Sequence, residues 1–437
     1  MALTPSMQLL KSDVVDIEST TASESELELP PSQKQWISYI GDCTSSQTSS
    51  IMVVVVLGLG ALALICYRAG LLTSSTNLPT IDEGGVAWLS EQRLGDYGTE
   101  MLSHNLPSDV PLRVLHLRQN SIGDRGAKAL AEVLHQSNSL EVLDLKGNLI
   151  SHVGVRYLAE AMQQDGGGAR LLSLELSANQ MGDGGVGALA KALQQDHVLL
   201  QDLSVAGNRI GDPGAIMLAA GLKQNSRLRS LDLEFNHVAD EGAKFLAETL
   251  QKSNRALADL DLGVNRVGDV GAAALAKVLQ HGTLRSLDLH ANRLTGKAAT
   301  SLAEGLRASG CQLMSLDLGR NSVGAEGAVA IGDALSSKTR LADLDLGVNG
   351  IGDDGATAVA AALERGAALV RIDLNLNGVG DAGARALVKA LRTNSAVEFL
   401  NIQYNCISRQ ALAELNAIAG ERNGTLKIWA GAQRSDC

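Results

Sequence analysis

Six aspartates, Asp232, Asp261, Asp288, Asp317, Asp345 and Asp373, recur at intervals of 27 to 29 residues, each between two large aliphatic residues. Asp144 and Glu175 hold the same setting farther upstream. Such alternation belongs to a short strand, in which the acid faces one side and its neighbours the other. With one parallel strand per interval, the carboxylates stand in a row about 4.8 Å apart. Like charges at that spacing repel by about 0.9 kcal/mol per pair even at the dielectric of water. The chemistry on offer is capture of positive charge, since a basic protein surface or peptide relieves the repulsion and is steered during encounter. Asp202, Asp259, Asp343 and Glu234 lie two residues from column positions and widen the acidic face, against Arg118, Lys146 and Arg371. The partner-binding set expected is therefore Asp144, Glu175, Asp202, Asp232, Glu234, Asp259, Asp261, Asp288, Asp317, Asp343, Asp345 and Asp373. The competing reading is that Leu-Asp-Leu is a habit of the repeat, solvated and unused; both stay open on the sequence.

No catalytic set emerges. G-x-S-x-G, H-E-x-x-H and the phosphate-binding G-x-x-x-x-G-K-[ST] are all missing from the sequence. His290 stands beside the acidic row, but a single imidazole there reads as a solvated surface residue ahead of a metal ligand or acid–base group. No metal, cofactor or small-molecule substrate is expected. The formal net charge of −11 also argues against nucleic acid, whose phosphates need a basic face.

The row needs a scaffold that repeats with it. From Leu112 the pattern L-x-x-L-x-L-x-x-N recurs, and its asparagine returns at Asn120, Asn148, Asn179, Asn208, Asn236, Asn265, Asn292, Asn321, Asn349, Asn377 and Asn405, every 27 to 31 residues. Eleven copies in near-register exclude chance. Each copy divides into a strand around L-x-L, a turn such as Ile122-Gly123-Asp124-Arg125-Gly126-Ala127, and a helix with Leu130, Ala131 and Leu134 on one face. Asp124 and its equivalents Asp183, Asp212, Asp240, Asp269, Asp353 and Asp381 are expected to cap the helix that follows each of them. The asparagines read as structural, bonding backbone groups of their own and neighbouring turns. One such unit cannot bury its own apolar face, so copies stack. Strands about 4.8 Å apart against helices about 10 Å wide bend the stack. The expected fold is an α/β solenoid, a horseshoe with a concave parallel sheet and convex helices. A degenerate copy at 84–111 serves as N-terminal cap, and 112–437 holds the eleven copies and a C-terminal cap.

Residues 1–50 carry Asp13, Asp16, Glu18, Glu24, Glu26, Glu28 and Asp42 without an apolar period, the signature of a disordered acidic tail. Ile51 to Tyr67 has no charged residue. As a helix it spans roughly 26 Å, and with Arg68 snorkelling the stretch 51–72 suffices for a single transmembrane helix. A linker at 73–83 joins it to the repeats. Arg68 weakly places the repeat region in the cytosol, whereas the sequon Asn423-Gly424-Thr425 argues the other way. Cys43, Cys66, Cys311, Cys406 and Cys437 are scattered without metal-ligand spacing, which favours a reducing compartment and unpaired thiols.

These copies resemble the ribonuclease-inhibitor class of leucine-rich repeats, on L-x-x-L-x-L-x-x-N-x-[IV]-G-D-x-G-A-x-x-L-A-x-x-L as in Leu341 to Leu363. The resemblance covers 84–437 and looks nearest to the repeats of NOD-like receptors, without their nucleotide-binding domain. It implies protein–protein recognition on the concave face and loops, in sensing or signalling. The same class includes the Ran GTPase-activating proteins, which implies regulation of a small GTPase or another enzyme as the alternative.

Overall fold

The computed structural model describes residues 51–57, 61–67, 81–106, 111–164, 170–280, 282–336, 338–422 and 424–434. The acidic tail expected over 1–50, most of the linker and the sequon asparagine Asn423 lie outside them. The chain divides into two compact units, Met1–Ser75 and Thr76–Cys437.

In the first unit, β1 (Ile51–Leu57) and β2 (Ala61–Tyr67) pair antiparallel, from Ile51 opposite Tyr67 to Leu57 opposite Ala61. This corrects the transmembrane helix expected over 51–72. Among the described residues, no helix is long and apolar enough to cross a membrane. Two sequence features pull against the helix. Val53 to Val56 is a run of β-branched residues, stiff at χ1 and favoured in strands. Gly58 and Gly60 then break the apolar stretch with residues of poor helix propensity.

The second unit alternates strand and helix. It begins with β3 (Val86–Trp88), α1 (Gly95–Asn105), β4 (Val114–His116), α2 (Asp124–Gln136), β5 (Val142–Asp144), α3 (His152–Gln163), β6 (Ser173–Glu175) and α4 (Gly182–Ala192). It continues through β7 (Asp202–Ser204), α5 (Asp212–Leu222), β8 (Ser230–Asp232), α6 (Asp240–Lys252), β9 (Asp259–Asp261), α7 (Asp269–Leu279), β10 (Ser286–Asp288) and α8 (Gly296–Arg307). It ends with β11 (Ser315–Asp317), α9 (Gly324–Ala334), β12 (Asp343–Asp345), α10 (Gly352–Glu364), β13 (Arg371–Asp373), α11 (Asp381–Thr393), β14 (Phe399–Asn401), α12 (Arg409–Glu421) and β15 (Lys427–Trp429). Strands β3 to β15 form one 13-stranded sheet in sequence order, and the neighbours pair in parallel with matching positions opposite each other. The core is one continuous layer between sheet and helices. In the β10–α8 repeat it takes Leu287, Leu289, Leu294, Ala299 and Leu302, all fully buried. Replacing one such leucine by alanine costs about 2–5 kcal/mol.

Asparagines knit the copies together. Asn349 donates its side-chain amide to Leu318 O at 2.8 Å and Leu346 O at 3.2 Å, while its Oδ1 accepts the Val323 N–H at 3.0 Å. A second set, unforeseen in the sequence, sits at the C-terminal ends of the helices. Asn254 reaches Leu222 O and Asn225 O at 2.9 and 2.8 Å, and Asn394 reaches Leu363 O and Ala367 O.

The turn aspartates do something other than cap their own helices. None of α2, α5, α6, α7 or α11 receives a side-chain bond from its N-cap position, and the aspartate lies in the helix's first turn. Its carboxylate instead crosses to the next copy. Asp124 Oδ1 accepts from Ser151 N and Gly154 N at the start of α3, at 2.8 and 2.9 Å. Asp183, Asp212 and Asp240 do the same for α5, α6 and α7. A helix start exposes N–H groups without internal partners and favours negative charge, so the bond is well placed. It is simply supplied by the neighbour. Disulfide bonding is likewise a departure: Cys406 is disulfide-bonded, while Cys311 is a free thiol.

Candidate functional site

The register brings the acidic column together as one line across the sheet. Its order is Trp88, His116, Asp144, Glu175, Ser204, Asp232, Asp261, Asp288, Asp317, Asp345, Asp373, Asn401 and Trp429. The line alternates with buried leucines and faces the side of the sheet away from the helices. Ser204 interrupts the acids and donates to Asp232 Oδ2 at 2.7 Å. The wider acidic set splits up. Asp343 pairs with Arg371 Nε at 3.0 Å. Asp202 and Asp259 are exposed, each beside serines on the adjacent strands. Glu234 meets His290.

Each column acid has a structural task. Asp288 Oδ1 accepts the backbone N–H of His290 at 2.8 Å. The same bond joins Asp144 to Lys146, Glu175 to Ser177, Asp232 to Glu234, Asp261 to Gly263, Asp317 to Gly319, Asp345 to Gly347 and Asp373 to Asn375. The reason is local. On the preceding strand, Leu262 O already accepts the side-chain amides of Asn265 and Asn292. The N–H that faces that way therefore needs another acceptor, and the acid two residues earlier provides it. The bond requires an oxygen and no charge, because Asn401 makes it to Gln403 N with an amide.

The charge carries a cost at Asp261, Asp317 and Asp345. Burial, then the neighbouring Asp288, pushes Asp261 up to about 7. Burial and Asp288 take Asp317 to about 6, and burial with Asp317 and Asp373 takes Asp345 to about 7. Near neutral pH the ladder thus holds protons, which relieves part of the repulsion counted from the sequence. Toward the ends, hydrogen-bonding side chains flank the row. Asp373 Oδ2 accepts from Asn401 Nδ2 at 2.7 Å, and Asp144 Oδ2 faces His116 Nδ1 at 3.3 Å.

Two functional candidates escaped the sequence reading. Trp88 and Trp429 end the column and are 67% and 55% exposed. Trp88 stacks on His116 with centroids 4.2 Å apart, and Trp429 sets its edge to Phe399 at 4.9 Å. The signal was present, since stepping 28 residues outward from His116 and Asn401 lands on both. His290, read as solvated, is half-buried, with Nδ1 2.8 Å from Asp288 and Nε2 3.6 Å from Glu234.

This geometry defines a leucine-rich-repeat solenoid. Nine segments match the family described as Leucine Rich repeat, at 110–131, 136–159, 171–190, 198–219, 224–247, 253–276, 311–332, 339–360 and 369–388. The chain therefore carries leucine-rich repeats, which suggest a scaffold for protein–protein interaction in preference to an enzyme. Among solved structures it is similar to a chain of the yeast Rad7 and Elc1 complex, with 18% identity over 74% of this chain and 83% of that one and a TM-score of 0.46. An internalin from Listeria monocytogenes aligns at 16% identity over 78% and 95%, with a TM-score of 0.42. A TDR receptor aligns at 13% over 80% and 58%, with a TM-score of 0.39. No curated protein matches the chain.

Proposed function

We propose that the acidic face of the sheet docks a basic segment of a protein partner. The carrying observation is the contrast between Asn401 and the acids. An amide serves the turn bond, yet six consecutive strands, β8 to β13, use carboxylates that crowd one another. A charge kept where a neutral oxygen suffices supports a role for the charge itself. Lysine and arginine on a partner replace the shared protons and neutralise the row, while the exposed Trp88 and Trp429 offer aromatic faces to cations at its two ends. The repeat length and the α-helix that follows each of β3 to β14 support placing these repeats in the ribonuclease-inhibitor class.

The test is a titration of the full chain with fluorescent polylysine at rising salt and at two pH values. Binding is expected to weaken with salt. It is also expected to tighten between pH 6 and 8, as Asp261 and Asp345 lose the protons held near 7. A variant with Asp261, Asp317 and Asp345 all changed to asparagine keeps the turn bonds and loses most of the affinity. Binding that is absent, salt-independent or unchanged in that variant rejects the reading.

A further inference from the structure

Of the eleven asparagines in the ladder, only Asn349 and Asn377 are followed by glycine, at Gly350 and Gly378. That pair of residues carries a reaction of its own, one source of asparagine's thermal lability. The glycine nitrogen attacks the asparagine Cγ, a new C–N bond closes a cyclic imide, and Nδ2 leaves as ammonia. Water then opens the imide at either carbonyl. The product is aspartate, or isoaspartate with the main chain rerouted through the former side chain. Glycine favours the first step because no side chain crowds its nitrogen and its backbone turns freely.

The fold locks the carbon and leaves the nitrogen open. Asn349 and Asn377 are only 4% and 3% exposed. Asn377 Nδ2 donates to Leu346 O at 2.8 Å and to Asn375 O at 3.2 Å, and its Oδ1 accepts the Asn349 N–H at 2.9 Å. Asn349 is held likewise by Leu318 O, Leu346 O and the Val323 N–H. Neither Cγ can turn toward the next nitrogen until these bonds break. Gly350 and Gly378, by contrast, are exposed, and beyond the adjoining residues no heavy atom lies within 4 Å of where a Cβ would stand. Only an opening of the copy joins the two groups.

We propose that Asn349-Gly350 and Asn377-Gly378 are coupled modification sites, converted to aspartate and isoaspartate when the copies around β12 and β13 open, which turns a transient opening into a permanent break in the stack. Local opening is a normal excursion of a folded chain, and each copy depends on its neighbours for burial. The product cannot rejoin the ladder. A carboxylate has no hydrogen to donate to Leu318 O or Leu346 O, and an unpaired charge is strongly disfavoured at a buried position. Isoaspartate also adds a carbon to the main chain and so displaces the register. Because Asn377 Oδ1 holds the Asn349 N–H, conversion of Asn377 loosens Asn349 as well.

The experiment incubates the full chain in warm, mildly alkaline buffer alone, with urea below the unfolding transition, and with urea above it. Peptide mass spectrometry follows the amide-to-acid mass change at each asparagine. In unfolding urea, Asn349 and Asn377 are expected to convert well ahead of Asn148, which precedes Leu149. Without urea both are expected to be slower by at least about 10-fold, and to speed up with urea still below the transition. Asn405→Ala removes the carbonyl that accepts the Asn377 and Val379 N–H groups, and is expected to speed conversion of Asn377 several-fold without urea. Asn120→Ala, at the far end of the array, leaves that rate unchanged. Circular dichroism confirms that each variant is folded; should Asn405→Ala fail to fold, the urea series of the wild type decides. Equal rates with and without unfolding overturn the proposal. So does conversion of Asn148 as fast as Asn377 in unfolding urea, or an equal effect of the two variants.

Discussion

Asp353 Oδ1 accepts the backbone N–H of Gly380 at 2.7 Å and of Gly383 at 2.8 Å, so this aspartate of α10 caps α11. The bond sets the conformation of the turn that receives it. Where the preceding copy supplies an aspartate, the residue before the helix is extended: Gly123, Gly211, Gly268 and Gly380 have φ between −101° and −107°. Where the preceding copy has His152, Gly296 or Ala325 in that place, the turn takes its other form. Gly182, Gly324 and Gly352 then have φ of +53°, +64° and +60°. Their N–H groups turn to the backbone carbonyls of Asn208, Asn349 and Asn377, at 3.1, 3.0 and 3.0 Å. One donor thus has two acceptors, and the neighbour's side chain decides which is used.

The two forms respond differently to a Cβ. Gly211→Ala meets only ordinary contacts, at 3.5 Å or more, with φ in the allowed region. Its stability is expected to be unchanged or raised by up to about 0.5 kcal/mol, through a less free unfolded chain. Gly352→Ala has open space but a left-handed φ, and is expected to cost about 1–2 kcal/mol. Urea unfolding of both variants checks this; equal effects would show that the turn form does not matter.

Restoring the missing aspartate should convert one turn into the other. Ala325→Asp places a carboxylate where Asp353 stands one copy later, with Gly355 available as the second donor. Residue 352 can then take the extended form that Ala239 already adopts behind Asp212. In a double-mutant cycle, Ala325→Asp is expected to cancel most of the cost of Gly352→Ala, a coupling of about 1 kcal/mol. Strict additivity of the two substitutions counts against the mechanism.

The asparagines offer a sharper loss. Asn349 is buried and joins its own copy to the preceding one through its amide and carbonyl. Asn349→Ala leaves the Val323 N–H without its acceptor and is expected to cost about 3 kcal/mol. Asn254→Ala, in the set at the helix C-termini, is expected to be comparable. Denaturation midpoints test both, and hydrogen exchange should show the loss spreading to the adjoining copies because the array is stabilised through its neighbours.

The repeat, its core face and the acidic column were legible because each depends on residues at fixed offsets within one copy. Leu287 and Leu289 face the core, and Asp288 between them faces away, as alternation requires. The caps were misread because the partner of Asp124 lies in another copy, at Ser151 and Gly154, and that contact exists only once the copies stack. Asn225, Asn254 and Asn394 were missed because they recur in only some copies and follow no apolar period. The segment 51–67 was misread because uninterrupted apolar character does not choose between helix and strand; its valines and glycines do.

The column should leave a mark on the pH dependence of stability. Asp261, Asp317 and Asp345 titrate near 7, 6 and 7 in the folded chain, above the ordinary carboxylate value of 3.8. Between 3.8 and about 7 the folded state therefore binds more protons than the unfolded state. Stability from these groups must fall as pH rises through that window. The sign is opposite to that of a salt-bridged carboxylate such as Glu141, which Arg113 holds below its usual range. The melting temperature is expected to climb as pH is lowered from 7.5 toward 5.5, before general acid unfolding intervenes. Asp345→Asn preserves an acceptor for the Gly347 N–H, as Asn401 does for Gln403, and removes one titrating group. That variant is expected to melt higher than wild type at pH 8 and to show a shallower slope. A slope of the opposite sign, or one that Asp345→Asn leaves unchanged, would mean that the aspartates are not crowded in the way their burial and register require.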